Sequence, residues 1–187
     1  MALNKKRFAW ISVFVILFAG GIAGGYFYFS KGSVLRQIVQ TPQQPDSQDQ
    51  DLTSVRVYYP SQGRLVMEER RVKKQASVVA SAEEIAGAYL KGPTRGGSDV
   101  PQGARVLGVY SGNDGVLYID ISDEFRKNFQ GDAMAEYLLL KGLYESIISN
   151  VSGIDDVKLL IEGKEIESIG GHLFAMYPLK NMLTEIK

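Results

Sequence analysis

The chain alternates sharply between apolar and polar character, and the period of that alternation changes along its length. Residues Phe8 to Phe29 are 22 consecutive residues without a charge. At 1.5 Å rise per residue such a run makes a helix of roughly 33 Å, against about 30 Å of bilayer hydrocarbon. From Gly32 to Ser54 the sequence turns polar, with six Gln, two Pro and three Asp. Such a stretch buries too little surface to offset the entropy of ordering. Beyond it, Val55, Val57 and Tyr59 alternate with Arg56 and Tyr58, a period of two that predicts a strand. Pro60 to Gly63 read as its turn, and Leu65 to Lys74 as the returning strand.

The period then becomes helical. Ser81 to Lys91 carries Ile85, Ala88 and Tyr89 on one face, with a capping box from Ser81 to Glu84 at its start. Gly92 and Pro93 stop it. Ala104–Tyr110 and Gly115–Ile121 read as a hairpin, with Leu107 and Val109 on one face and Val106, Gly108 and Tyr110 on the other. Gly112 to Gly115 is the turn. Ser122 is placed to cap a short helix over Asp123–Phe129. Asp132 to Asn150 is the longest helix of the domain, its stripe built by Tyr137, Leu140, Tyr144 and Ile147. Val157–Ile161 is a buried strand, Glu162–Lys164 its turn, and Glu165–Ile169 a short strand pairing back. The sum is an α+β domain, a largely antiparallel sheet with two helices packed on one face, preceded by one transmembrane helix.

The expected organisation is a cytoplasmic N-terminus over 1–7, a membrane anchor over 8–30, a flexible linker over 31–54 and an extracytoplasmic domain over 55–187. Lys5, Lys6 and Arg7 hold the N-terminus inside by the positive-inside rule. The competing reading of the apolar run is a cleaved signal peptide, with Ala19, Gly20, Ala23 and Gly25 as small residues for cleavage. Either reading puts the domain outside the cytoplasm. Gly20/Gly24 and Gly21/Gly25 form two overlapping GxxxG spacings, which suit close approach of two membrane helices.

Composition narrows the chemistry. Lys and Arg total 21, as do Asp and Glu. From Ser54 onward 16 basic and 18 acidic residues remain, a net of about −2, which excludes an electrostatic footprint for nucleic acid. There is no cysteine, so disulfides, thiolate nucleophiles, Cys-ligated metals and a lipobox anchor are excluded. The sole histidine, His172, has no sequence partner for a triad or a zinc site and reads as a satisfied or solvent-facing loop residue. Asp120, Asp123 and Glu124 form the one carboxylate cluster. Their spacing matches no calcium loop, and they are the candidates if the domain hydrolyses or senses cell-wall glycan. Glu83 and Glu84 read as helix-start residues rather than an acid–base pair. The Glu68–Lys74 charge run reads as a solvated strand whose mixed signs protect a sheet edge. The loop Thr94–Gly103 lacks the Lys-Ser/Thr of a phosphate cradle and is a candidate contact surface. No catalytic, cofactor-binding or metal-ligating residue is assigned.

The ordered set Leu90-Lys91-Gly92-Pro93, Val100-Pro101-Gln102-Gly103-Ala104-Arg105-Val106-Leu107-Gly108-Val109, and Val116-Leu117-Tyr118-Ile119-Asp120-Ile121-Ser122-Asp123-Glu124-Phe125 resembles the GerMN domain family. So do the opening strand Val55–Tyr59, the stretch Val157-Lys158-Leu159-Leu160-Ile161-Glu162-Gly163 and Pro178-Leu179. The resemblance spans roughly Val55 to Leu179. It implies an extracytoplasmic module on a membrane anchor or lipoprotein, linked in spore formers to envelope assembly and germination, with no established catalytic residues. It further implies a non-enzymatic role whose partner is an envelope protein or a second copy, with peptidoglycan nearby. The chain departs from the tandem form of the family in having one such domain.

Overall fold

The computed structural model describes residues 51–184. The anchor over 8–30, the paired GxxxG glycines and most of the linker lie outside the described residues. No helix among the described residues is long and apolar enough to cross a membrane.

The element order is β1 (Leu52–Ser61), β2 (Arg64–Lys73), α1 (Val78–Leu90), β3 (Val106–Ser111), β4 (Val116–Ile121), α2 (Glu124–Lys127), α3 (Ala133–Ile148), β5 (Asp156–Ile161) and α4 (Leu179–Thr184). The expected single sheet is two: an antiparallel pair β1–β2, and a three-stranded sheet ordered β3–β4–β5. β4 pairs β5 in parallel, from Val116 opposite Asp156 to Ile121 opposite Ile161. Parallel neighbours need a crossover, and α3 lies in it. The central strand β4 is buried along nearly its whole length, so its sequence is apolar almost without interruption.

β1 starts at Leu52, not at Val55, so the last residues assigned to the linker belong to the ladder, with Leu52 opposite Lys73. Gln62 and Gly63 both take positive φ, 51° and 74°, as a two-residue turn matched to strand twist requires. Pro60 therefore lies in the strand, opposite Leu65, instead of opening the turn.

The cap of α1 lies four residues before the expected one. Ser77 is the N-cap, its hydroxyl accepting from the Ala80 N–H at 3.1 Å. Ser81 sits inside the first turn, where its hydroxyl donates to the Ser77 carbonyl at 2.8 Å, so the capping box from Ser81 to Glu84 does not form. In the β3–β4 hairpin, a bulge between Val106 and Gly108 shifts the register. Leu107 is thereby exposed while Val109 is buried, against the expectation that they share a face.

The second short helix is Glu124–Lys127 only, with Asp123 at its N-cap position. Ser122 is a fully buried serine whose hydroxyl accepts from the Arg105 N–H at 3.2 Å, tying β4 to the loop before β3. Phe125 is fully buried beneath it, a contribution of about 2 kcal/mol to stability on area grounds. α3 begins where expected, Asp132 capping the Ala135 N–H at 2.9 Å. It packs mainly on β1, and α1 packs mainly on β3. The segment Glu165–Ile169 does not form a strand. Only a bridge between Ile161 and Lys164 exists there, and Ile166 and Ile169 are instead buried as anchors of an irregular segment. The tail beyond Pro178 forms α4, which buries Leu179 and Leu183.

The outer edge of β1 is closed by Ser146 of α3 and by Asn150, two residues past its end. The Arg56 N–H donates to Asn150 Oδ1 at 3.0 Å, and Asn150 Nδ2 donates to the Arg56 carbonyl at 2.7 Å. The Tyr58 N–H donates to Ser146 Oγ at 2.9 Å.

Candidate functional site

β2 carries more than a solvated charge run. Glu68 and Arg70 point toward the loop that follows α1. Arg70 Nη1 donates to Tyr59 Oη at 3.0 Å and to the Gly92 carbonyl at 2.8 Å. Tyr59 Oη donates in turn to the Ala88 carbonyl at 3.1 Å. Burial pushes the Tyr59 phenol up, an effect Arg70 partly offsets. Glu68 accepts from Thr94 Oγ1 at 2.6 Å and from the Thr94 N–H at 3.1 Å. Gly92 has φ 76°, the left-handed geometry that turns the chain out of α1. Farther along, Ser61 Oγ donates to the Gly97 carbonyl at 3.1 Å, and the Asp99 N–H to the Pro60 carbonyl at 2.9 Å.

These bonds hold the 92–99 loop against the β1–β2 hairpin and leave a groove of about 540 Å³ between them. Val66, Met67, Pro93 and Arg95 are among its lining residues. Val66 is 42% and Met67 49% exposed. Apolar side chains held open on a rigid frame, with a polar rim, are how protein contact surfaces are built. The expected contact loop Thr94–Gly103 is therefore placed here by its first half.

The carboxylate cluster does not converge. Asp120 is buried, with Oδ1 accepting from the Gly163 N–H at 2.8 Å. Asp123 pairs with Lys127 at 2.9 Å and Arg126 at 3.4 Å. Its carboxyl is held below the usual range, first by the Lys127 hydrogen bond. Glu124 is lowered chiefly by the Ser122 hydroxyl. The three carboxyl groups thus serve three separate local bonds. No group of His, Asp and Glu suited to a metal ion occurs among the described residues. Glu83 and Glu84 line a second groove of about 460 Å³ with Lys91 and Arg105.

His172 has a partner that the sequence did not reveal. Glu136 on α3 is fully buried. It accepts backbone N–H bonds from Ile169 at 2.8 Å, Gly170 and His172 at 2.9 Å, and Leu173 at 3.3 Å. His172 Nδ1 lies 3.1 Å from Glu136 Oε2. Burial raises the Glu136 carboxyl, but the N–H groups of Gly170, His172 and Ile169 and the imidazole together outweigh it and hold it below its ordinary value. With its oxygens taken by backbone donors, Glu136 is an anchor for the 169–173 segment. The one signal for it in the sequence is its setting: an acid among Met134, Tyr137, Leu138 and Leu139 in the apolar first half of the helix.

Residues 56–167 match a family described as Germane, sporulation and spore germination. The chain belongs to the Germane family. The tandem GerMN domains of the sporulation protein GerM from Bacillus subtilis share the Germane fold with it, at 19% identity and a TM-score of 0.52 over 70% of this chain and 47% of that one. The first GerMN domain of the same protein matches at 20% identity and a TM-score of 0.49, over 64% of this chain and 90% of that one. A candidate lipoprotein of Clostridium perfringens matches at 18% identity and a TM-score of 0.49, over 68% of this chain and 86% of that one. No curated protein sequence matches the chain.

Proposed function

We propose that this Germane domain is a non-catalytic assembly module of the bacterial cell envelope. The apolar segment 8–30 anchors it in the cytoplasmic membrane with the N-terminus inside, and the domain stands on the extracytoplasmic side at the end of a polar tether. It binds an envelope protein, in a spore former one that serves sporulation or germination. The observation that carries the reading is the groove beside β2. Val66 and Met67 stand exposed there, while Glu68, Arg70 and Thr94 fix the facing loop at 2.6–3.1 Å. A preformed surface of this kind binds without ordering itself first. Dispersal of Asp120, Asp123 and Glu124 into separate bonds gives the carboxylate hydrolase reading no support.

The test is crosslinking in intact cells with the full chain and with Val66→Glu/Met67→Glu. Loss of a specific partner from the double variant, with the domain still folded, is the expected result. An unchanged set of crosslinked proteins would overturn the groove as the docking surface.

A further inference from the structure

We propose that the pocket at the open end of the β1–β2 hairpin binds the phosphate of an anionic phospholipid headgroup, which seats this end of the domain on the membrane. This rests on the anchoring part of the reading above and adds a binding site to it. The pocket has a volume of about 250 Å³ and is lined by the open end of the hairpin and the first turns of α1. Its inner wall is apolar: Val55, Val72 and Ile85 line it, and all three are buried. Thr53 pairs with Val72 in the ladder, and the Lys74 N–H donates to the Asp51 carbonyl at 2.6 Å, one rung further out. Side chains two residues apart share a face of a strand. Thr53 therefore lies on the face of Val55, and Lys74 on the face of Val72. Lys73 stands at the rim on the other face, opposite Leu52. Gln75 adds its amide to the lining.

The polar side of this pocket is an excess of donors. Ser81 and Asn150, which also line it, are committed: Ser81 Oγ donates to the Ser77 carbonyl at 2.8 Å, and Asn150 Nδ2 to the Arg56 carbonyl at 2.7 Å. The side chains of Thr53, Lys73, Lys74 and Gln75 bond to no described residue. No Asp or Glu lines the pocket. Asp51, beside Lys74 in the ladder, meets it through its backbone carbonyl and is not part of the lining. Two ammonium groups, a hydroxyl and an amide around one small space suit a negative group with several strong acceptor oxygens, which is what a phosphate is. Two features select a lipid as its source. Leu52 and Val78 are each 41% exposed, Leu52 opposite Lys73 and Val78 four residues past Lys74. Apolar side chains next to ammonium groups match the headgroup boundary, where the former enter the acyl region and the latter meet phosphates. β1 also begins here. Residues 30–51 separate the end of the apolar run at Phe29 from Leu52, at most about 75 Å of extended chain, so an anchored chain keeps this pocket within reach of headgroups. From Ser54 onward the net charge is about −2, so attraction to an anionic surface is confined to this end.

The chain has no cysteine, so Ala76→Cys, exposed between Gln75 and the Ser77 cap, takes a single environment-sensitive fluorophore. The full chain carrying it is reconstituted in vesicles of phosphatidylcholine, with and without phosphatidylglycerol. Phosphatidylglycerol is expected to shift the emission to the blue and to shield the label from iodide. A label on Tyr110→Cys, exposed on β3, does not respond. Each lysine near an anionic surface contributes roughly a fivefold gain in binding. Lys73→Gln with Lys74→Gln is therefore expected to weaken docking about 25-fold in a phosphatidylglycerol titration, while Lys→Arg at both positions retains it. Thr53→Leu fills the pocket, leaves both charges and is expected to remove the shift, in protein whose circular dichroism matches the parent. A shift of equal size in phosphatidylcholine alone, or one that survives Thr53→Leu or the loss of both lysines, would overturn the proposal. Free glycerol phosphate that produces the same shift on phosphatidylcholine vesicles would make a soluble phosphate the ligand and overturn the lipid. Carbonate washing separates the two readings: a chain washed off the vesicles refutes the anchor, whereas a chain retained without a shift refutes the headgroup site alone.

Discussion

Asn150 pairs with Arg56 as a further strand would. Its amide accepts from the Arg56 N–H at 3.0 Å and donates to the Arg56 carbonyl at 2.7 Å. Replacing Asn150 with Ala removes both bonds. The expected loss is about 1–3 kcal/mol, read as a lower urea midpoint with unchanged slope. Asn150→Asp is expected to fall in the same direction, since a carboxylate cannot donate to the carbonyl. Stability equal to the parent in both variants would mean that water replaces the amide at no cost.

Two glycines in helix interiors give opposite forecasts for the same substitution. Propensity alone favours Gly→Ala in a helix by about 1 kcal/mol. At Gly87 a Cβ would meet nothing within 4 Å, so Gly87→Ala is expected to raise stability by about 0.5–1 kcal/mol. At Gly142 the Cβ would lie 2.6 Å from the Tyr58 carbonyl oxygen, with Tyr89 Cε2 at 3.2 Å and Leu65 Cδ2 at 3.3 Å. Backbone stands on the far side of that contact, so α3 must move off β1. Gly142→Ala is expected to cost about 1–3 kcal/mol despite the propensity gain. Parallel thermal melts decide it.

Glu136 makes acid stability depend on one carboxylate. Its folded value is held below the ordinary one, so the folded state binds this proton less readily than the unfolded chain does. The stabilisation is present above the unfolded value of about 4.3 and is lost as pH falls through the lower folded value. Glu136→Gln keeps an acceptor but turns an NH₂ group toward backbone donors. At neutral pH it is expected to cost about 2–4 kcal/mol. The gap between parent and variant should narrow as pH is lowered from about 5 toward 3. A gap constant across that range would show that the charge contributes nothing.

The Glu68–Thr94 contact sets the mobility of the groove wall. Glu68→Ala removes the acceptor for the Thr94 N–H and hydroxyl. Because the contact is partly exposed, the global cost is expected to stay near 1 kcal/mol or less. The local effect is larger: amide exchange at residues 94–97 should accelerate while that of α3 does not change. Uniform acceleration across the domain would instead mean that the contact belongs to the core.

Most of the elements were legible because their signals are local. Asp132 announces α3, Gly92 and Pro93 end α1, and the alternation of Val55, Val57 and Tyr59 announces β1. What failed was decided at a distance or between near-equals. Ser77 and Ser81 stand four residues apart with Val78, Val79 and Ala80 between them, and either could cap a helix. Tertiary packing of the extra turn selects Ser77. No local pattern says that β5 joins β4 in parallel, because a buried strand reads the same in either direction. The bulge at Leu107 is one residue in a hairpin that otherwise alternates. Glu136 was the largest miss among polar residues. In sequence it resembles an ordinary acid in the first turn of a helix, and its role depends on four N–H groups 33 to 37 residues away.

The side-chain clip on β1 also bears on how the domain withstands tension. A pull applied at the start of β1 enters the fold at Leu52, at the open end of the hairpin beside Lys73. Pulled there, a bare hairpin would unzip one rung at a time. Arg56 and Tyr58, four and six residues in, are fastened to Asn150 just past α3 and to Ser146 within it, and Val55, Val57 and Tyr59, which alternate with them, are buried. Peeling must therefore stop within the first rungs unless α3 yields along with the ladder, so the strand that receives the pull is the one riveted on both sides.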